Sequence, residues 1–74
     1  EVDYIVQAGN RLIAIEVKSG QPKNAETGIA AFRKHYGAAE AVIISEEAKP
    51  QDETKNIRYL SIEQFFTNPK EILI

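Results

Sequence analysis

The chain has 74 residues, which allows one small and marginally stable domain. It contains no cysteine and a single histidine, which excludes disulfides, thiolate metal sites and a zinc site built on His35 alone. The net charge of −2 excludes a domain that binds nucleic acid through overall positive charge. No apolar run is long enough to span a bilayer, so no membrane partner is expected, and the absence of cysteine fits a cytoplasmic protein.

A β-hairpin is predicted at the start of the chain. Its first strand covers about 2–7 and its second about 11–18, and Gly9-Asn10 between them is typical of a two-residue turn. The second strand is apolar on both faces in its middle, which favours a central position in the sheet.

Three charged side chains meet in this hairpin if the turn is tight. Asp3 in the first strand then lies opposite Glu16 in the second, with Cβ atoms roughly 4.5–5.5 Å apart. Lys18 projects from the same face, because side chains alternate along a strand. Two carboxylates this close repel each other unless a cation or a proton lies between them. The pattern indicates a metal-assisted phosphodiesterase, and an ordinary cross-strand ion pair between Glu1 and Lys18 is the alternative.

A helix and a buried strand are predicted next. The helix covers about 25–36, ends before Gly37 and buries one apolar stripe, formed by Ala25, Ile29, Phe32 and Tyr36. The continuous apolar run 41–44 predicts a strand parallel to the second strand, since a strand–helix–strand crossover makes its two strands parallel.

The last third of the chain contains a polar loop, a strand and a short helix. The loop covers about 46–56 and the strand 57–60, and Ser61 with Gln64 has the spacing of a capping box that opens the helix. Asn68-Pro69 ends this helix. We therefore predict a single α/β domain with a mixed sheet, and we expect its core to take in the aromatic side chains of Phe32, Tyr36, Phe65 and Phe66.

Asp3 followed by Glu16-Val17-Lys18 resembles the PD-(D/E)xK nuclease superfamily, with Val2 where proline is usual. The surrounding residues, including Ser19-Gly20, are similar to the C-terminal domain of unknown function of bacterial and archaeal AAA+ ATPases. The resemblance covers about 1–66. It implies a restriction-endonuclease-like fold, truncated at the N-terminus, whose first helix and first strand lie upstream in the parent protein.

The resemblance also implies a chemistry. Asp3, Glu16 and Lys18 are the expected catalytic residues, and the two carboxylates with the backbone carbonyl of Val17 are the expected ligands of Mg²⁺, with Mn²⁺ as a substitute. Lys18 would orient the attacking water or stabilise charge on the phosphoryl group. The expected activity is hydrolysis of nucleic-acid phosphodiester bonds, with DNA as the substrate and an ATPase domain of the same chain as a partner.

Two other functions remain open at this stage. A catalytically inactive nuclease-fold module that binds or assembles with the ATPase would retain the fold without turnover. Self-association through an exposed first strand is the third interpretation, because edge strands recruit other strands.

Overall fold

A four-stranded mixed sheet forms the centre of the molecule, in a computed structural model that describes residues 2–19, 25–47 and 56–73. The elements are β1 (Tyr4–Ala8), β2 (Arg11–Val17), α1 (Ala25–Tyr36), β3 (Glu40–Ser45), β4 (Ile57–Ser61), α2 (Ile62–Thr67) and a 3-10 helix (Pro69–Leu73). The strands lie in chain order across the sheet, with β1 antiparallel to β2 and the other neighbours parallel. The predicted mixed sheet is confirmed, as is the parallel crossover.

The hairpin has the predicted register. Ala8 pairs with Arg11, and the pairing continues to Tyr4 and Ile15. Gly9 has a φ of 64°, a left-handed conformation that glycine adopts without strain, and this allows the two-residue turn. Because the pairing ends at Tyr4, strand β1 begins there rather than at residue 2, as the sequence had predicted.

Helix α1 has the predicted bounds and covers one face of the sheet. Ile29 and Phe32 pack there against Ala14, Ile43 and other buried side chains. The helix ends at Gly37, whose φ of 80° suits the residue that follows a helix. Tyr36 was expected in the core but is 65% exposed, because it lies at the end of α1 and stacks on the outer side of Phe32 with ring centroids 4.7 Å apart.

Helix α2 and the 3-10 helix cover the opposite face. The capping box is present: Ser61 Oγ accepts from the Gln64 N–H at 3.0 Å, and Gln64 Oε1 accepts from the Ser61 N–H at 2.8 Å. Phe65 packs on the second core cluster, whose buried members are Ile13, Ile15, Val42, Ile44 and Leu60. Phe66 follows it directly on the helix and is 74% exposed, so its predicted core position is wrong.

Two arginines hold the 3-10 helix, which the sequence did not predict. Arg58 donates to the Glu71 and Ile72 carbonyls, and Arg11 donates to the Leu73 carbonyl. The predicted loop over 46–56 lies largely outside the described residues. Within the described part of the chain, no helix has the length and apolar character needed to cross a membrane.

We predict an acid-dependent loss of stability at the Arg11–Glu40 pair. Arg11 makes two hydrogen bonds to the Glu40 carboxylate, at 2.7 and 2.6 Å, and these lower the pKa of that carboxyl below its usual value. A lowered pKa stabilises the fold above the unfolded-state pKa, and this contribution disappears as pH falls through the folded-state pKa. The difference in unfolding free energy between the wild type and Glu40→Gln should therefore shrink from pH 7 to pH 3 in urea titrations. Glu63→Gln, which removes an exposed carboxylate, controls for net charge, and a difference independent of pH would contradict the assignment.

Candidate functional site

A buried carboxylate lies near the end of β2. Glu16 pairs with Ile43 of β3, and its side chain is on the face that α1 covers, the same face as Ala14. The residue is only 7% exposed. Its Oε1 atom is buried and finds no hydrogen-bond partner among the described residues. A buried carboxylate oxygen without a partner costs free energy, so this atom calls for a cation or a proton donor from outside the described structure.

Lys18 supplies the positive charge closest to this carboxylate in the described structure. Its Nζ lies 3.3 Å from Glu16 Oε2, and its side chain is 33% exposed. The Lys18 backbone N–H donates to the Ile44 carbonyl at 2.8 Å, which extends the contact with β3 beyond the end of β2. The amine therefore contacts both solvent and the buried carboxylate, as the alternation of the second strand predicted.

Asp3 does not occupy the predicted position opposite Glu16. Its N–H donates to the Ile15 carbonyl at 3.1 Å, although Ile15 already pairs with Tyr4. Two successive residues facing one partner form a β-bulge, which ends the regular pairing. Beyond the bulge, Val2 packs on the α1-covered face. Asp3 is exposed, and its Oδ2 accepts from the Val17 N–H at 2.9 Å, so its carboxylate is fixed at the end of β2 by a backbone bond.

The backbone carbonyl of Val17 points to the β1 side of the sheet. The Lys18 N–H points to β3, and in a trans peptide the preceding carbonyl points the opposite way, toward the β1 side of the sheet. The Val17 N–H, on the same side, contacts the Asp3 carboxylate. The predicted ligands Asp3 and Val17 are thus neighbours. The Glu16 side chain, from the preceding residue of β2, lies on the face that α1 covers.

A second acid, Glu26, contacts this face of the sheet through Tyr59, and the sequence alone did not associate it with the site. Tyr59 lies in one row with Glu16 and Ile43 across three neighbouring strands. The Tyr59 hydroxyl donates to the carboxylate of Glu26 in the first turn of α1. The sequence did not reveal this arrangement, because the position of Tyr59 beside Ile43 follows only once β4 is known to lie parallel to β3.

The chemistry of the site is that of two oxygen-donor carboxylates, one carbonyl and one amine. Oxygen donors of this kind suit Mg²⁺ or Mn²⁺, which retain several waters and need few protein ligands. The described residues contain no group of three or more His, Cys, Asp or Glu side chains arranged to hold a metal ion. The described contacts therefore form two separate pairs, Glu16 with Lys18 and Asp3 with the Val17 N–H, and show no contact between the two carboxylates.

The model of a family described as Domain of unknown function (DUF4143) matches residues 1–65. The chain belongs to this family. Comparisons of this DUF4143 domain with curated proteins and with solved structures find no match. The family match confirms the predicted similarity to a domain of unknown function. The family description names no activity.

We predict unequal costs for removing the two members of the Glu16–Lys18 pair from the DUF4143 domain. Lys18→Met leaves the buried carboxylate without its cation and should destabilise by about 1–3 kcal/mol, less than for a fully buried pair because the amine is partly exposed. Glu16→Met removes the buried Oε1, which has no partner among the described residues, and should cost less or stabilise. Urea unfolding without divalent ions measures both, with Lys34→Met as the control for an exposed lysine. Equal costs would show that the pair behaves as an ordinary surface ion pair.

Proposed function

We propose that this domain is a Mg²⁺-dependent nuclease domain with the restriction-endonuclease-like fold of the PD-(D/E)xK superfamily. The observation that carries the proposal is the buried Glu16 carboxylate, whose Oε2 contacts the Lys18 amine while its Oε1 has no hydrogen-bond partner among the described residues. A scaffold gains nothing from a carboxylate oxygen in this environment, whereas a cation site requires it.

The residues at the end of β2 fit a hard divalent cation. Asp3 and Glu16 would provide carboxylate oxygens, and the Val17 carbonyl points to the side where Asp3 is held. All three donors are oxygens, which Mg²⁺ and its substitute Mn²⁺ prefer. When bound, the cation would neutralise phosphate charge and lower the pKa of a coordinated water.

Lys18 has the position for a separate role. Its amine contacts Glu16 and remains partly exposed, so a phosphoryl oxygen or a water molecule can reach it. There the amine would donate a hydrogen bond to the attacking water or to the negative charge that develops on the phosphoryl group. The Val17 N–H holds the Asp3 carboxylate in place before any ligand arrives.

The expected partners follow from the charge of the chain. A net charge of −2 provides little general attraction for DNA. Contacts to DNA would therefore be local to the site or supplied by an AAA+ ATPase domain to which this domain is C-terminal in the parent chain. This arrangement would allow the ATPase to present the strand that the domain cuts.

A catalytically inactive nuclease-fold module is the second candidate, and the state of Asp3 favours it. The Val17 N–H bond gives this carboxylate a structural role at the bulge, which a domain without turnover would also need. Under this candidate Asp3→Ala leaves partner binding intact, whereas under the nuclease proposal it weakens divalent-ion binding.

We predict a specific divalent-ion site at the end of β2. Mn²⁺ added during an NMR titration should broaden the amide signals of residues 3 and 16–18 first, because paramagnetic broadening falls steeply with distance. Glu16→Gln and Asp3→Asn keep the side-chain size, remove one charged ligand each, and should abolish the selective broadening. Glu63→Gln removes an exposed acid on the opposite face and should leave the broadening unchanged. Uniform broadening in the wild type would contradict a site here and favour the inactive module.

We predict that cleavage depends on the amine more strongly than ion binding does. Lys18→Ala should reduce Mg²⁺-dependent hydrolysis of a labelled oligonucleotide by about 100-fold or more while Mn²⁺ binding persists. Single- and double-stranded DNA and RNA are assayed in parallel, with Lys34→Ala as the matched control. Wild-type rates in Lys18→Ala would exclude the role assigned to this residue.

A further inference from the structure

We propose that Glu26, in the first turn of α1, is a second acid of the cation site at Glu16, and that Tyr59 positions it there. This inference rests on the proposed function, because it adds a residue to the ion site. The Asp3 carboxylate is held on the β1 side of β2, and no described contact joins it to Glu16. A cation at the buried Glu16 oxygen therefore lacks a second carboxylate among the described contacts of the hairpin.

The first turn of α1 lies at the end of β2. A helix that connects two parallel strands runs opposite to them, so α1 begins at the edge of the sheet where β2 ends. Ala14 and Ile29 belong to one buried cluster beneath the helix. Glu16 follows Ala14 by two residues on the same face of β2. Glu26 precedes Ile29 by about one turn of α1, so both acids lie between the cluster and this edge.

Tyr59 fixes the position of Glu26 relative to the strands. Its hydroxyl donates to the Glu26 carboxylate, and its buried ring lies in the same row across the sheet as Glu16. Two strand spacings, about 9.5 Å, separate the Cα atoms of Glu16 and Tyr59. The side chain between them is the buried Ile43, so the row itself contains no other acid. Glu26 is the only acid in the sequence of α1, and the tyrosine holds it at the level of this row.

The Oε1 atom of Glu16 is the independent observation that indicates a ligand. The residue is more than nine-tenths buried, and this oxygen has no hydrogen-bond partner among the described residues. A carboxylate offers about four lone-pair sites, so accepting from Tyr59 does not prevent Glu26 from accepting a further bond.

A water-mediated role fits the composition of the site. The described residues contain no group of three or more potential ligand side chains that could hold an ion directly. Mg²⁺ retains several of its waters and needs only one or two carboxylates. Glu26 would accept a hydrogen bond from one of these waters, and the Tyr59 hydroxyl would keep the carboxylate turned toward the sheet.

A purely structural role would use the same bond. An acid in the first turn of a helix stabilises that helix, and the bond from Tyr59 holds α1 on the sheet. Such a role predicts a lower stability for Glu26→Gln and Tyr59→Phe but an unchanged ion affinity of the folded domain. The affinity for Mn²⁺, measured where circular dichroism shows each variant folded, therefore separates the two roles.

The Mn²⁺ titration followed by NMR locates the ion relative to α1. The amide signals of residues 26 and 27 should broaden in the same range of Mn²⁺ as those of residues 16–18. The amide signal of Tyr36 should persist, because it lies about 15 Å further along the helix. Broadening of residues 16–18 without residues 26 and 27 would overturn this inference and leave the proposed function standing. A wild type without selective broadening would overturn both.

Calorimetric titration of Mn²⁺ into matched variants tests the carboxylate itself. Glu26→Gln should weaken binding at least tenfold, the usual effect of removing a group that orients a metal's ligands, and Tyr59→Phe should weaken it in the same direction. Adding Thr27→Glu to Glu26→Gln returns an acid to the first turn at an exposed position about 100° around the helix, and should not restore binding. Wild-type affinity in Glu26→Gln, or recovery in the double variant, would overturn this inference while the selective wild-type site remains.

Discussion

The parallel pairing of β2 with β3 is the constraint on which the rest of the structure depends. It places β2 inside the sheet and requires the chain to cross over through α1, which then covers one face. The other face receives α2, so β2 is buried on both sides in its middle. Glu16 continues this buried strand, and its carboxylate is consequently enclosed by the packing that stabilises the domain.

The charged side chains at the two ends of the parallel strands are neutralised to different extents. At the start of β2, Arg11 and Glu40 neutralise each other through two hydrogen bonds at the protein surface. At its end, Glu16 is more deeply buried, contacts the Lys18 amine at 3.3 Å and keeps an oxygen without a partner in the described part of the chain. The first arrangement stabilises the fold by itself. Folding alone does not favour the arrangement at Glu16, and for this reason we propose the functional site there.

Local sequence rules predicted the features that neighbouring residues determine. The Gly9-Asn10 turn set the hairpin register, the apolar stripe gave α1 its bounds, and Ser61 with Gln64 marked the start of α2. Each of these depends on residues close together along the chain. The position of Glu16 and Lys18 on one face followed from alternation within a single strand.

The features that the sequence did not predict depend on contacts between distant residues. The 3-10 helix is held by Arg58, whose partners become visible only when β4 is placed in the sheet. The exposure of Tyr36 depends on where α1 runs past the sheet. The bulge at Asp3 arises where strand pairing competes with a side chain that can accept a backbone N–H. Alternation alone cannot reveal such a competition, because it assumes regular pairing to the end of the strand.

The bulge connects the candidate site with the free edge of the sheet. If Asp3 continued the regular ladder, its carboxylate would lie opposite Glu16 and the edge would be longer. Because the pairing ends at Tyr4, the Asp3 carboxylate turns to the end of β2, where the Val17 carbonyl also points. The same irregularity that brings the Asp3 carboxylate to the end of β2 thus shortens strand β1. A substitution at Asp3 will therefore affect both the start of β1 and the backbone at the end of β2.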